Sequence, residues 1–482
     1  TCSNMVIVPI DKALPDIEMQ RLIERSEAKA IIFDEKYLET IKKVQEKENS
    51  NLKTLICMDN IQEKGIKTFN EILEEGRNQI KNGDQKYDNI EIDENKMSIM
   101  LFTSGTTNEP KAVMLSQANI CANISNIACW VKLYPTDVLL SFLPIHHTFE
   151  CTITFLYGFY SGSQVAFCDG LKHIQQNLKE YKVSVFVAVP LVLETMYKKI
   201  QKAIEEQGKT GLIKKMTKIS NTLLKAKIDI RKIVFKQILD NFGGHLRVVL
   251  YGAAPMNKAT IIGYNNLGIS LVQGYGLTET SPVVTAETDK EKRPGSIGLA
   301  LANLNLKIAN PDNEGVGEIT VKGPSVMLGY YKNPEETKKV LKDGWFSTGD
   351  YGYKDKDGFV YITGRKKDII VLKNGKNVYP QEIEFLINKI PYIAESLVYS
   401  RDKDTTDTML CAKIVYDKDA IKQMIGEKTE EEYKEIIWQE IKKINQELPI
   451  FKKIKNITIT TEPLKKTTTQ KVKRYEELKN LT

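Results

Sequence analysis

The sequence has no CxxC pair, few histidines and no apolar run long enough to cross a bilayer. Seven cysteines, Cys2, Cys57, Cys121, Cys129, Cys151, Cys168 and Cys411, are scattered along 482 residues. An odd number without paired spacing argues against a disulfide scaffold or a thiolate zinc site, so a reducing compartment, the cytoplasm, is expected. Four histidines, His146, His147, His173 and His245, argue against a His-built metal centre. The apolar run VSVFVAVPLVL at 183–193 contains Pro190 and falls short of the ~18 residues of a membrane span. A buried strand followed by a turn is expected there. The opening TCSNMVIVPIDKALP places no basic stretch ahead of a hydrophobic segment, so no signal peptide is expected. Charge of one sign is also scarce: 69 Lys and Arg against 62 Asp and Glu leave +7, too dilute over this length for a nucleic-acid partner.

What is present is the composition of a folded globular protein, 41% hydrophobic and 27% charged, in a chain longer than the ~250 to 300 residues at which a single core stops growing. Two or three domains follow. The first third alternates apolar runs (MVIVPI, AIIF, LKTLICM) with helix-like polar stretches, the rhythm of an α/β fold around a largely parallel sheet. MSIMLF at 97–102, VSVFVAVP, LRVVLYGAA and ISLVQGYG read as further buried strands. After residue 295 short strands and Gly/Pro/Asp turns indicate a small β-rich subdomain, and from about 368 a compact α+β segment follows. The charged GRKKD between them suits a hinge.

Because open α/β sheets bind ligands outside the carboxyl ends of their strands, the loops there are the candidates for chemistry. Thr103, Ser104, Gly105, Thr106, Thr107 and Lys111 follow the 97–102 strand and offer hydroxyls, backbone N–H groups and a cation to phosphate oxygens. The spacing is not GxxxxGK[ST], which excludes a Walker loop. A second loop, QGYGLTET, sets Tyr275 between Gly274 and Gly276, presenting a flat ring to a planar partner. Thr278 and Glu279 add a hydroxyl and a carboxylate suited to Mg2+. Each loop taken alone also fits an ordinary surface turn.

Taken together, TSGTTNEPKAV, QGYGLTET, WFSTGD, GRKKDIIVLKNGKNVYPQEIE and KKTTTQKVKR resemble, in order and spacing, the acyl-adenylate-forming (AMP-binding) superfamily. LPIHHTFE, GYGLTETSPVV and a helical insertion at 194–240 are most similar to long-chain fatty acyl-CoA synthetases. The resemblance implies a large multi-layer adenylation domain at 1–365, with sheets, helices and a small β subdomain, and a small mobile α+β domain at 366–482. It implies ATP, Mg2+ and coenzyme A as cofactors and a fatty acid as substrate. An acid–thiol ligase activity through acyl-AMP is expected. Acyl carrier protein as acceptor and a non-catalytic nucleotide-binding homologue are the alternatives.

By motif position, the resemblance places Thr103 to Thr107 and Lys111 at the phosphates, and Gly252, Ala253 and Ala254 along the adenine with Tyr275 stacked on it, beside Gly276. Thr278 falls at the α-phosphate, Glu279 on Mg2+, Asp350 on the ribose hydroxyls and Arg365 on ribose and phosphate. Lys367 is the hinge, Gly375 lies in the coenzyme A channel, Lys471 is the catalytic lysine and His147 borders the acyl site, with 142–168 expected around the chain. Asn108 and Ala112 stand where the family usually has glycines, and Gln470 replaces the glycine before Lys471. The family's own N-terminal stretch precedes TCSNMVIVPIDK, so a shortened large domain is expected. Residues 194–240 carry twelve Lys/Arg against five Asp/Glu, an excess equal to the net charge of the chain. This is either a solvated helix face or a peripheral contact with anionic membrane or carrier protein.

Overall fold

The computed structural model describes residues 4–103, 110–254, 256–288, 291–372, 376–404, 407–466, 472–479 and 481, without the side chains of 402–404, 407 and 408. Two compact units emerge, Thr1–Asn305 with Val321–Phe346, and Leu306–Thr320 with Ser347–Thr482.

In the first unit, AIIF and LKTLICM form strands as read, whereas MVIVPI forms none and meets the fold through a single bridge from Ile7 to Ile99. Strands Ala30–Phe33, Thr54–Cys57 and Ile66–Thr68 pair in parallel, and helices Asp16–Ser26 and Leu38–Gln45 bury Met19, Ile23, Ile41 and Val44 against Leu55 and Cys57. Five further strands form the parallel body of a seven-stranded sheet. In spatial order they are Ser270–Gly276, Val248–Tyr251, Val185–Ala188, Val138–Ser141 and Gln164–Phe167, with Val283–Ala286 and Leu299–Ala300 antiparallel on one edge. Val185–Ala188 and Val248–Tyr251 are buried at every position. Parallel strands covered on both faces need such unbroken apolar runs, which explains why these were legible.

Two elements differ from expectation. The run at 183–193 is not strand then turn: Pro190 is the first residue of helix Pro190–Glu206, where its missing N–H costs nothing and its fixed φ favours the first turn. Strand Met97–Thr103 does not join the large parallel sheet; it pairs antiparallel with Lys111–Ser116, which also pairs with Gly329–Tyr330. Ser116 then caps helix Gln117–Ala128 through a capping box with Asn119.

In the second unit, Asp350–Lys354 of the strand Trp345–Lys354 pairs antiparallel with Val360–Arg365. Ile393–Asp404 pairs antiparallel with Asp407–Tyr416 and that strand pairs in parallel with Asn456–Thr460. Helices Pro380–Ile387, Lys418–Ile425 and Glu430–Glu447 close a core of Ile383, Ile387, Val398, Ile414, Ile437 and Ile441. Among the described residues no helix is long and apolar enough to cross a membrane.

Candidate active site

Three loops of the first unit converge because they leave the same end of neighbouring parallel strands. Gly252–Ala254 follows Val248–Tyr251, Leu277–Glu279 follows Ser270–Gly276, and Phe142–Phe149 follows Val138–Ser141. A Cβ on Gly252 would lie 2.7 Å from the Gly274 carbonyl oxygen and 3.6 Å from Phe149 Cζ, so the backbone approach excludes a side chain there. Ala253 adopts φ 70°, a left-handed conformation that a non-glycine residue holds at a cost. A Cβ on Gly276 would overlap the Pro282 carbonyl oxygen at 1.8 Å. The Leu277 N–H donates to that oxygen and to Thr280 Oγ1, both at 3.0 Å, which fixes the single turn Thr278–Thr280.

Glu279 is held from both ends. Its carbonyl accepts from the Met327 N–H at 2.9 Å, and its Oε1 accepts from the Tyr330 hydroxyl at 3.0 Å. Burial first, and then the neighbouring Glu279 charge, push the Tyr330 hydroxyl far above its usual range, so it stays a donor. Lys111 Nζ sits 4.8 Å from the centre of the Tyr330 ring and 2.8 Å from Glu336 Oε2. Lys111, followed by Lys339, draws Glu336 down to about 2. Thr103 faces Lys111 across the hairpin, with its Oγ1 3.5 Å from the Lys111 carbonyl. Among the described residues no group of three or more His, Cys, Asp or Glu forms a metal cage.

His147 lies two residues before a π-helical stretch, Phe149–Leu156. Its Nδ1 accepts from the Phe149 N–H at 3.3 Å, which in the neutral ring leaves the proton on Nε2. His146 lies 3.7 Å from Asp11, and burial lowers it below the usual imidazole range. Glu150 is sealed from solvent: Oε2 accepts from Thr154 Oγ1 at 2.9 Å, Oε1 has no partner among the described groups, and burial raises the carboxyl to about 7. Phe149 and Ile153 line a cavity of about 40 Å³ with Trp130, Tyr251 and Gly274.

The second unit brings together its own pair. Asp350, only 2% exposed, receives Arg365 Nε at 2.7 Å from the facing strand position. Lys367 lies in the turn Lys366–Asp368 and is held below the usual lysine range, chiefly by desolvation, although the residue as a whole is exposed. Beyond it, Arg474 ties Glu384 at 2.7 Å and approaches Asp368 at 3.9 Å.

The AMP-binding enzyme family profile matches residues 3–331, and the AMP-binding enzyme C-terminal domain profile matches 367–481. The chain belongs to the AMP-binding enzyme family. It is 30% identical to a chloroplastic long-chain-fatty-acid–[acyl-carrier-protein] ligase of Arabidopsis thaliana, over 79% of this chain and 60% of that protein. It is 29% identical to long-chain-fatty-acid–CoA ligase 6 of Mus musculus, over 87% of this chain and 63% of that protein. The chain thus spans about 60% of the length of the curated relatives it matches. Its fold superposes with TM-score 0.74 on ATP-bound MatB from Rhodopseudomonas palustris, at 24% identity, covering 99% of this chain and 83% of that one. The adenylate-forming architecture, a large α/β part and a separate α+β C-terminal part, is thereby established.

Of the family positions anticipated from sequence, Lys111 and Glu279 are joined through Tyr330 and Thr103 faces Lys111, while Gly252 approaches Phe149 and the strand that carries Tyr275 and Gly276. Asp350 and Arg365 are paired. Ser104, Gly105, Thr106, Thr107, Gly375 and Lys471 lie outside the described residues. The Lys111 ammonium is engaged by Glu336. Sequence reasoning missed Tyr330, Glu336 and Glu150. GYYKNPEET carries the first two, one on each side of its proline, and the third sits inside LPIHHTFE.

Proposed function

We propose that this AMP-binding enzyme activates a medium- or long-chain fatty acid with ATP and transfers the acyl group to the thiol of coenzyme A. The observation that carries the reading is Glu279, fixed by Tyr330 beside the tight Gly252 turn at the carboxyl ends of the parallel strands. A fatty carboxylate oxygen attacks the α-phosphorus of ATP, the bond to the bridging oxygen breaks, and pyrophosphate leaves. The acyl-AMP formed is a mixed anhydride, which the thiol opens to give the thioester and AMP. The names of both relatives, each a long-chain-fatty-acid ligase, support the substrate class.

The residues present fit a magnesium ion. Glu279 is a half-buried carboxylate with one hydrogen-bond donor among the described residues, suited to an ion that keeps waters and takes phosphate oxygens as its other ligands. Such an ion supplies positive charge next to the phosphates. The chain's own contribution is positional: Gly252 and Gly276 admit the nucleotide by close backbone approach, and Tyr275 offers a planar face. Thr278 is held in a short turn toward the α-phosphate, Asp350 with Arg365 receives the ribose, and Lys471 stabilises charge developing at the α-phosphate. His147 borders the acyl group. The boundary at 365/366, with Lys367 as hinge and Gly375 in the thiol channel, allows the small domain to exchange one half-reaction for the other. Acyl carrier protein carries the same thiol chemistry and is the second acceptor to be assayed, favoured by the name of the Arabidopsis relative.

Fatty-acid-dependent pyrophosphate release, followed by thioester formation with each acceptor, tests the reading. Lys471→Ala is expected to abolish pyrophosphate exchange while sparing thioester formation from supplied acyl-AMP. Equal loss of both half-reactions would remove Lys471 from its assigned role, and no fatty-acid-dependent AMP formation by the unaltered chain would overturn the function.

A further inference from the structure

Between Glu206 and Asp229 the chain carries Lys209, Lys214, Lys215, Lys218, Lys225 and Lys227 and no acidic residue. Nearby cations are neutralised, Arg231 by Asp229 and Lys236 by Asp240, each at 2.7 Å, but none of the six lysines has an ion-pair partner among the described residues. Helix Thr210–Lys225 buries Ser220 and half-buries Ile213, Met216, Thr217 and Asn221. Asn221 Nδ2 donates to Asn266 Oδ1 at 2.8 Å on helix Lys258–Leu267. At about 3.6 residues per turn, the opposite face presents Lys215 and Lys218, with Leu212 and Ile219 along one margin and Lys214 and Lys225 along the other.

The segment that follows is anchored too. Arg231 Nη1 donates to the Asn265 carbonyl at 2.6 Å, and Phe235 is buried. On this fixed platform aliphatic side chains remain in water: Leu212 is 56% exposed, Ile219 42%, Ile228 53% and Ile233 79%, with Leu224 at 37% nearer the packed side. A helix made only for solvent mixes charges of both signs, whose spaced pairs stabilise it, and single exposed apolar residues are ordinary. Here like charges repel without relief, and the apolar side chains stand among them. A surface of opposite charge with an apolar layer beneath it satisfies both features at once.

We propose that this face, centred on helix Thr210–Lys225 and continuing through Ile228 and Ile233, docks on an anionic phospholipid bilayer. The lysines neutralise headgroups, and the aliphatic side chains enter the boundary below them. The spread of cations and aliphatics over two helices and their connection suits a laterally extended layer better than one small acidic protein.

The test is co-sedimentation of the full chain with vesicles of equal parts phosphatidylglycerol and phosphatidylcholine, against vesicles of phosphatidylcholine alone. Binding is read without turnover, so its outcome is separate from that of the proposed reaction. Binding to the anionic vesicles only, weakened by salt, is expected. Lys214→Glu/Lys215→Glu/Lys218→Glu is expected to reduce it about a hundredfold, from roughly one basic residue's worth of attraction per site. Leu212→Ser/Ile219→Ser is expected to weaken binding while leaving the salt response in place. Unaltered melting of both variants separates docking from folding. Equal binding to both vesicle types, or undiminished binding by the triple variant, overturns the proposal. So does absence of vesicle binding when the same variant impairs transfer to acyl carrier protein, which would assign the face to that partner.

Discussion

Tyr330 and Glu150 show how much a single side chain decides at this site. Removing the Tyr330 hydroxyl with Phe takes one donor from the Glu279 carboxylate, and a hydrogen bond to a charged group is worth about 1.5 to 3 kcal/mol. Tyr330→Phe is therefore expected to slow pyrophosphate exchange roughly tenfold to a hundredfold with the fold intact. An unchanged rate would show that Glu279 needs no such support. Glu150 has its folded carboxyl raised to about 7 from 4.5. The neutral form is the one folding prefers, so the stability Glu150 contributes is complete below the unfolded value and is lost as pH rises through about 7. Glu150→Gln is expected to flatten this slope, which is worth at most about 3 kcal/mol, in urea unfolding followed from acid to mildly alkaline pH. A variant keeping the full slope would place the titration elsewhere. Neither residue was legible from spacing, because Tyr330 meets Glu279 across 51 positions of sequence, on a short strand paired with Lys111–Ser116, and burial of Glu150 depends on the π-helical turn.

At the scale of elements, legibility followed burial. Val185–Ala188 and Val248–Tyr251 lie inside a covered parallel sheet as continuous apolar runs, and Ser270–Gly276 beside them ends in glycines, so the loops after them were found. The strand at 97–103 has the same texture, but its partner is set by the chain that returns after the Thr/Ser-rich loop, which composition does not encode. In the second unit, described residues before and after 467–471 are tied to the sheet and helix around them. Lys466 pairs with Glu395, Glu477 takes Lys413 at 2.7 Å, and Arg474 reaches Glu384 and the Val398 carbonyl at 2.6 Å. Burial raises the Glu384 carboxyl against the pull of Arg474, so removing the arginine leaves that group uncompensated. Arg474→Ala is expected to destabilise the second unit by about 3 to 5 kcal/mol in urea unfolding of the full chain, and Arg474→Ala/Glu384→Gln to recover part of it. No recovery in the double variant would show that the two side chains act separately.

For the whole molecule, family and architecture were readable because five short motifs fall in order along the chain; of these QGYGLTET runs from a strand end into a short turn, while WFSTGD lies within the strand Trp345–Lys354. Contacts divide the chain differently from the motifs: Leu306–Thr320 and Ser347–Arg365 group with the C-terminal part, a partition that depends on strand pairing far apart in sequence. The seven-residue charge excess, by contrast, was located from sequence alone, and the structure adds which of its side chains face outward. That face also has a consequence for proteolysis. Lys209, Lys225 and Lys227 border the connections of the helical segment, Lys227 with φ 63°, where a trypsin-like protease can seat the chain most readily. The nicking pattern at these three positions is therefore a footprint of whatever covers them, readable on unlabelled protein in minutes and blind to turnover.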